Sequence, residues 1–261
     1  MTEFSGVPVH GFVLTRFGRI HYVEAGAGTP VVLLHSVGSS AYEFEHVIGK
    51  LAEHFRVIAW DMPGHGDSGP LQEHLSIADY CDALLALVRH LGLTRPHLVG
   101  TSIGARIAAH AGRKPTEVAS VSLVEHPLRS SQAWEKIWPK VETMFCHATQ
   151  SLDQVAPRFR NLTQAELERW NIDRNKAGAK TMMSAMWALR DDRPDLHAIA
   201  VPTLLVYGEV GAVADGIPVA TAALPAAPIV NMPGCGHFPM IDDPVAFVDT
   251  IHSFISDGSP P

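Results

Sequence analysis

The chain reads as an α/β protein built on a mostly parallel sheet, with helices on both faces and a helical segment inserted late in the chain. Three observations predict this. Short aliphatic runs recur along the sequence, helix-compatible spacing follows the first ones, and one long stretch has helical periodicity but no strand character. The 261 residues suffice for a single domain of this class carrying an insertion.

Residues 11 to 25 alternate apolar and polar around Gly18, which predicts a two-stranded hairpin at a sheet edge. After the turn ending at Pro30, Val31 to Leu34 form an uninterrupted aliphatic run, the pattern of a strand buried on both faces. The same texture returns at Arg56 to Trp60, Pro96 to Gly100, Val118 to Val124 and Thr203 to Tyr207, and more weakly at residues 227 to 232. Ligands on such sheets bind beyond the carboxyl ends of the strands. The last helix is expected to start at Asp243-Pro244, an acidic cap before a proline at the first helical position, and to run to about Ser256.

Between Glu125 and Thr203 lie about 75 residues, far more than the short connections usual in α/β units. This predicts a helical cap over residues 126–198, inserted into a core formed by residues 1–125 and 199–261. The cap holds Trp134, Trp138, Trp170, Trp187, Met144, Met182, Met183 and Met186. Most of these are expected to pack its own small core, and a few to line a ligand cavity.

Composition narrows the function. A hydrophobic content of 46% with 18% charged residues excludes a disordered chain, and a formal charge of −7 gives no reason to expect nucleic acid or an anionic membrane as a partner. The cysteines Cys81, Cys146 and Cys235 show no disulfide framework and no metal-ligand spacing, which points to a reducing cytoplasm. No secretion signal and no membrane-length apolar stretch is read, and no compact ligand set suggests a metal or other cofactor.

Gly100-Thr101-Ser102-Ile103-Gly104 matches G-x-S-x-G between an apolar strand and a helix-compatible run. Its glycines permit a tight strand-to-helix turn that lifts the Ser102 hydroxyl above the sheet. A serine needs a base to take its proton, and His237, on a loop between the last strand and the last helix, can reach that turn. His35, His65 and His126 sit on segments better suited to shaping the site. Cys235, beside His237, is expected to have no chemical role.

Ser102 and His237, together with His35-Ser36-Val37-Gly38 and Asp61-Met62-Pro63-Gly64-His65-Gly66, resemble the α/β-hydrolase superfamily over essentially the whole chain. The resemblance implies an eight-stranded sheet with a cap. It also implies an oxyanion hole formed by the backbone N–H groups of Val37 and Ile103, with Ser36 standing where glycine is usual. The loop starting at Asp61 is expected to shape the pocket without transferring protons.

The acid that orients the histidine departs from the commonest pattern. Many members place an aspartate where this chain has Gly211. Glu125, directly after a buried aliphatic run, is preferred over Glu209 and Asp215, since a carboxylate there is costly unless paired. Ser102, Glu125 and His237, with Trp187-Ala188-Leu189-Arg190 in the cap, resemble the fungal zearalenone lactonases, and Trp187 matches their substrate-contacting tryptophan. The expected activity is cofactor-independent hydrolysis of a carboxylic ester, in particular a lactone with a large apolar surface, through an acyl-enzyme. Carbon–carbon bond hydrolysis of a ring-cleavage diketone remains an alternative, as does a ligand receptor on the same fold. A haloalkane dehalogenase is disfavoured, because it needs a carboxylate where Ser102 stands.

Overall fold

In a computed structural model, which describes residues 8–211, 213 and 216–257, eight strands form one sheet in the order β1-β2-β4-β3-β5-β6-β7-β8. The strands are β1 (Val9–Thr15), β2 (Gly18–Ala25), β3 (Pro30–Leu34), β4 (Arg56–Trp60), β5 (His97–Thr101), β6 (Ser120–Val124), β7 (Thr203–Gly208) and β8 (Ile229–Met232). β1 and β2 are the expected edge hairpin, turning at Arg16-Phe17, and β2 pairs antiparallel with β4. From β4 to β8 every pairing is parallel.

The aliphatic runs are continuous because both faces of the sheet are covered. Val32, Leu34, Ile58, Leu98 and Val121 pack on one side with α2 (Ile77–His90) and α3 (Ile103–Ala111). Val31, Leu33, Val57, Val99 and Val206 pack on the other with α1 (Ile48–Ala52) and α9 (Pro244–Asp257). Successive strand residues therefore alternate between two cores, as a period of two requires.

Between β6 and β7 the chain holds α4 (Ser131–Phe145), α5 (Leu152–Val155) and α6 (Gln164–Asp191), and among the described residues no strand. At Gly178 (φ 73°, ψ 155°) α6 departs from helical geometry and kinks. Buried guanidiniums fasten this insertion. Arg174 donates to the carbonyls of Met144, His147 and Ala148, tying α6 to the end of α4. From α3, Arg106 donates to His126, the Pro127 carbonyl and Asp192, which fixes both ends of the insertion to the core. The remaining helices are α7 (Ile217–Ala223) and α8 (Pro239–Asp242). No described helix is long and apolar enough to cross a membrane.

The turn from β5 into α3 explains its two glycines. A Cβ on Gly100 would meet the Gly104 carbonyl oxygen at 2.2 Å, and one on Gly104 would meet the Leu34 carbonyl oxygen of β3 at 2.1 Å. Backbone cannot yield as a flexible side chain does, so Gly104→Ala should lose at least about 3 kcal/mol, at the top of the usual overpacking range. Gly49→Ala, in a helix where the new methyl meets nothing within 4 Å, should gain up to about 1 kcal/mol. Chemical denaturation of both variants measures the contrast.

Candidate active site

Register places the principal groups. Thr101 of β5 pairs with Val124 of β6, and Val124 pairs with Val206 of β7, so Ser102 and Glu125 leave the same edge of the sheet side by side. The ladder continues into both: the Ser102 N–H donates to the Val124 carbonyl at 2.9 Å, and the Glu125 N–H to that of Val206 at 2.9 Å. Each residue then adopts a positive φ, 57° at Ser102 and 48° at Glu125. Such conformations cost on the order of 1–3 kcal/mol in non-glycine residues and persist only where surrounding contacts enforce them.

Glu125 is completely buried. Its Oε1 accepts the Gly208 N–H at 2.8 Å, and its Oε2 lies 2.8 Å from His237 Nδ1. A carboxylate at Nδ1 holds the ring proton there and leaves Nε2 as the basic nitrogen. A Cβ on Gly211 would meet Glu125 Oε1 at 2.2 Å, so the carboxylate fills the volume a side chain at 211 would need. Glu209 is exposed and instead accepts the Gly234 N–H; Asp215 lies outside the described residues. The loop bearing His237 is held by Asp242, which accepts from Gly236, and by the Arg158 carbonyl, which accepts the His237 N–H at 2.7 Å.

Ser102 and His237 open onto a cavity of about 550 Å³. Its wall is largely apolar, with Trp134, Ile137, Val141, Phe145, Met186 and Leu189 contributed by the insertion. Trp187, expected against the substrate, is 43% exposed and does not line this cavity. One residue along a helix turns a side chain by about 100°, so with Met186 facing inward its neighbour faces out. Trp134 lines the cavity instead, while Trp170 packs edge-on to Phe159 and Phe238.

His35, His65 and His126 near the site are buried. His35 is fully buried, donates from Nδ1 to the Ser36 carbonyl and accepts the Met62 N–H at Nε2, and burial lowers its pKa. Burial likewise pulls His65 down to about 3 and His126 well below its ordinary value. Asp61 accepts from Ala41, Asp67 and His21, so its carboxylate organises the loop. The Cys235 thiol is buried, which pushes its pKa up to about 11.

Sequence reading missed Glu43. Ser36, in the position where glycine was expected, donates both its N–H (3.0 Å) and its hydroxyl (2.6 Å) to Glu43 Oε2, anchoring the segment that carries Val37. No periodicity announces this contact. The serine at 36 was the one available signal, because a hydroxyl that replaces a turn glycine needs a partner when buried.

The alpha/beta hydrolase family model matches residues 31–250, and the chain belongs to that family. A pimeloyl-[acyl-carrier protein] methyl ester esterase of Vibrio vulnificus is 28% identical over 260 residues, covering 90% of this chain and 97% of that protein. A 2-(acetamidomethylene)succinate hydrolase of Mesorhizobium japonicum is 28% identical over 89% of this chain and 90% of its own length. Among solved structures, a bacterial membrane phospholipase A superposes with a TM-score of 0.84 at 26% identity, covering 97% of this chain and 87% of that one. Homologues thus include esterases and other hydrolases.

Burial raises the Glu43 carboxyl from the ordinary 4.5 to about 7, against the opposing hydrogen bonds of Ser36. The folded state therefore holds a proton across an interval in which the unfolded chain has released it. The associated stability is fully present below about pH 4.5 and is lost as pH rises to about 7. Glu43→Gln should consequently gain about 2 kcal/mol relative to wild type between pH 5 and pH 8 in chemical denaturation. An equal difference at both pH values would show that Glu43 does not titrate in this interval.

Proposed function

We propose that the protein is a cofactor-independent serine hydrolase of carboxylic esters, lactones with an apolar ring included. The observation that carries this reading is the 2.8 Å contact between a buried carboxylate, Glu125, and His237 Nδ1, with His237 and Ser102 on one cavity wall. His237 Nε2 takes the proton of Ser102 as Oγ attacks the carbonyl, and Glu125 stabilises the imidazolium. The Ile103 N–H opens α3 and so lacks an intrahelical acceptor; with the Val37 N–H it receives the oxyanion, aided by the positive end of the helix dipole.

Collapse of the tetrahedral intermediate expels the alcohol, protonated by His237, and leaves an ester on Ser102. Water then attacks with His237 as base. In a lactone the released hydroxyl stays tethered and must swing clear of the acyl carbon first, which the cavity volume accommodates. The name of the Vibrio vulnificus relative supports ester chemistry, and the apolar lining supports a substrate with a hydrocarbon body.

On p-nitrophenyl esters, Ser102→Ala should reduce kcat/KM by about 10⁵-fold or more. Glu125→Gln should cost about 10² to 10⁴ in kcat, and Glu209→Gln less than about tenfold. Larger losses from Glu209→Gln on folded protein would move the acid. Position within the insertion predicts a second contrast. Trp134→Ala should weaken a bulky aryl ester about tenfold more than p-nitrophenyl acetate, whereas Trp187→Ala should change either by less than about twofold. Steady-state rates on the two substrates read this directly, and equal losses for Trp187→Ala and Trp134→Ala would contradict the placement of the cavity.

A further inference from the structure

The arginines at the insertion are treated differently. Arg106 is paired with Asp192 and bonded to His126 and a carbonyl, and Arg174 is met by three carbonyls. Arg158 lines the cavity with Ser102 and His237, yet among the described residues the one hydrogen bond of its guanidinium runs from Nη2 to the Met144 thioether at 2.8 Å. Its guanidinium carbon otherwise sits over aromatic rings, 5.4 Å from the Trp170 centroid and 5.9 Å from that of Phe145.

Among the described residues no carboxylate forms an ion pair with Arg158. Glu43 is close enough to favour its charge, while burial pulls its pKa down to about 10, so it remains a cation at neutral pH. A guanidinium presents five donors, and a sulfur is a weak acceptor. Among the described residues Nε and Nη1 of Arg158 have no acceptor, and donors left free on a cavity wall are available to an anionic ligand. The backbone fixes its placement, because the Arg158 carbonyl is the acceptor for the His237 N–H. Lys140 and Asp153 also line the cavity.

We infer that the substrate of this site carries a free carboxylate, bound by the forked guanidinium of Arg158, while the adjoining apolar wall takes the chain or ring that joins it to the scissile carbonyl. This rests on the hydrolytic reading of Ser102, His237 and Glu125, and it names the substrate class for it. A planar fork matches a carboxylate with two parallel hydrogen bonds. The remaining wall selects against compact polar acids. Arg158 is thus a binding residue for the part of the substrate that does not react.

The test uses two matched pairs, so that the carboxylate is offered on either side of the ester. One pair is p-nitrophenyl hydrogen adipate and its methyl-capped counterpart; the other is meta-acetoxybenzoate and its methyl ester. In wild type kcat/KM should favour the acid over the capped ester by at least about tenfold in one pair. Arg158→Gln should bring that ratio to within about threefold of unity, the loss falling on KM. If Arg158→Gln does not fold, Arg158→Lys keeps the charge without the fork and should lower the ratio at least threefold. Ratios near unity in both pairs for wild type, or a preference that the folded Arg158 variant leaves unchanged, overturn the inference. Failure of the hydrolytic reading looks different: Ser102→Ala would then cleave the capped esters as fast as wild type.

Discussion

The Glu125 carboxylate and a side chain at position 211 compete for the same volume. A Cβ on Gly211 would come within 2.2 Å of Oε1, so a glutamate reaching from β6 and a side-chain-bearing residue after β7 exclude each other. With glycine at 211, the carboxylate crosses beneath the end of β7, takes the Gly208 N–H and meets His237. The orientation of the His237 imidazole follows from that contact.

Parallel pairing makes this arrangement affordable in energy. Ser102 and Glu125 each hold a positive φ, a strain that neither side chain offsets alone. Ladder bonds to Val124 and Val206 pin the backbone immediately before each bend, and the core on both sheet faces resists the slip that would relieve it. The site is therefore preorganised by the same contacts that stabilise the sheet. The insertion is attached more locally, through the Pro127 carbonyl and Asp192 held by Arg106 and through the Arg158 carbonyl that accepts the His237 N–H.

Features that local composition determines were legible in the sequence. Buried parallel strands need continuous aliphatic runs, and β3, β4 and β7 lie where those runs are, while β5 is displaced by one residue to His97–Thr101 and β6 starts two residues late at Ser120. The G-x-S-x-G turn is legible because both glycines answer close backbone approaches. Glu125, a carboxylate directly after a buried run, was expected to be paired, and it meets the Gly208 N–H and His237 Nδ1. What could not be read depends on long-range placement. Helical phase turned Trp187 outward and Met186 inward, and no count of tryptophans reveals that phase. Glu43 beneath Ser36 and Arg158 against the cavity are charged residues whose default reading is solvent, and only tertiary contacts remove them from it.

The central claim is that Glu125 holds the Nδ1 proton of His237. Proton NMR of the ¹⁵N-labelled protein observes that proton directly, as a resonance shifted far downfield by the carboxylate acceptor. The account predicts the resonance in wild type, its retention in Glu209→Gln, and its loss or strong upfield movement in Glu125→Gln. A resonance that survives Glu125→Gln unchanged, or that disappears with Glu209→Gln, would contradict it.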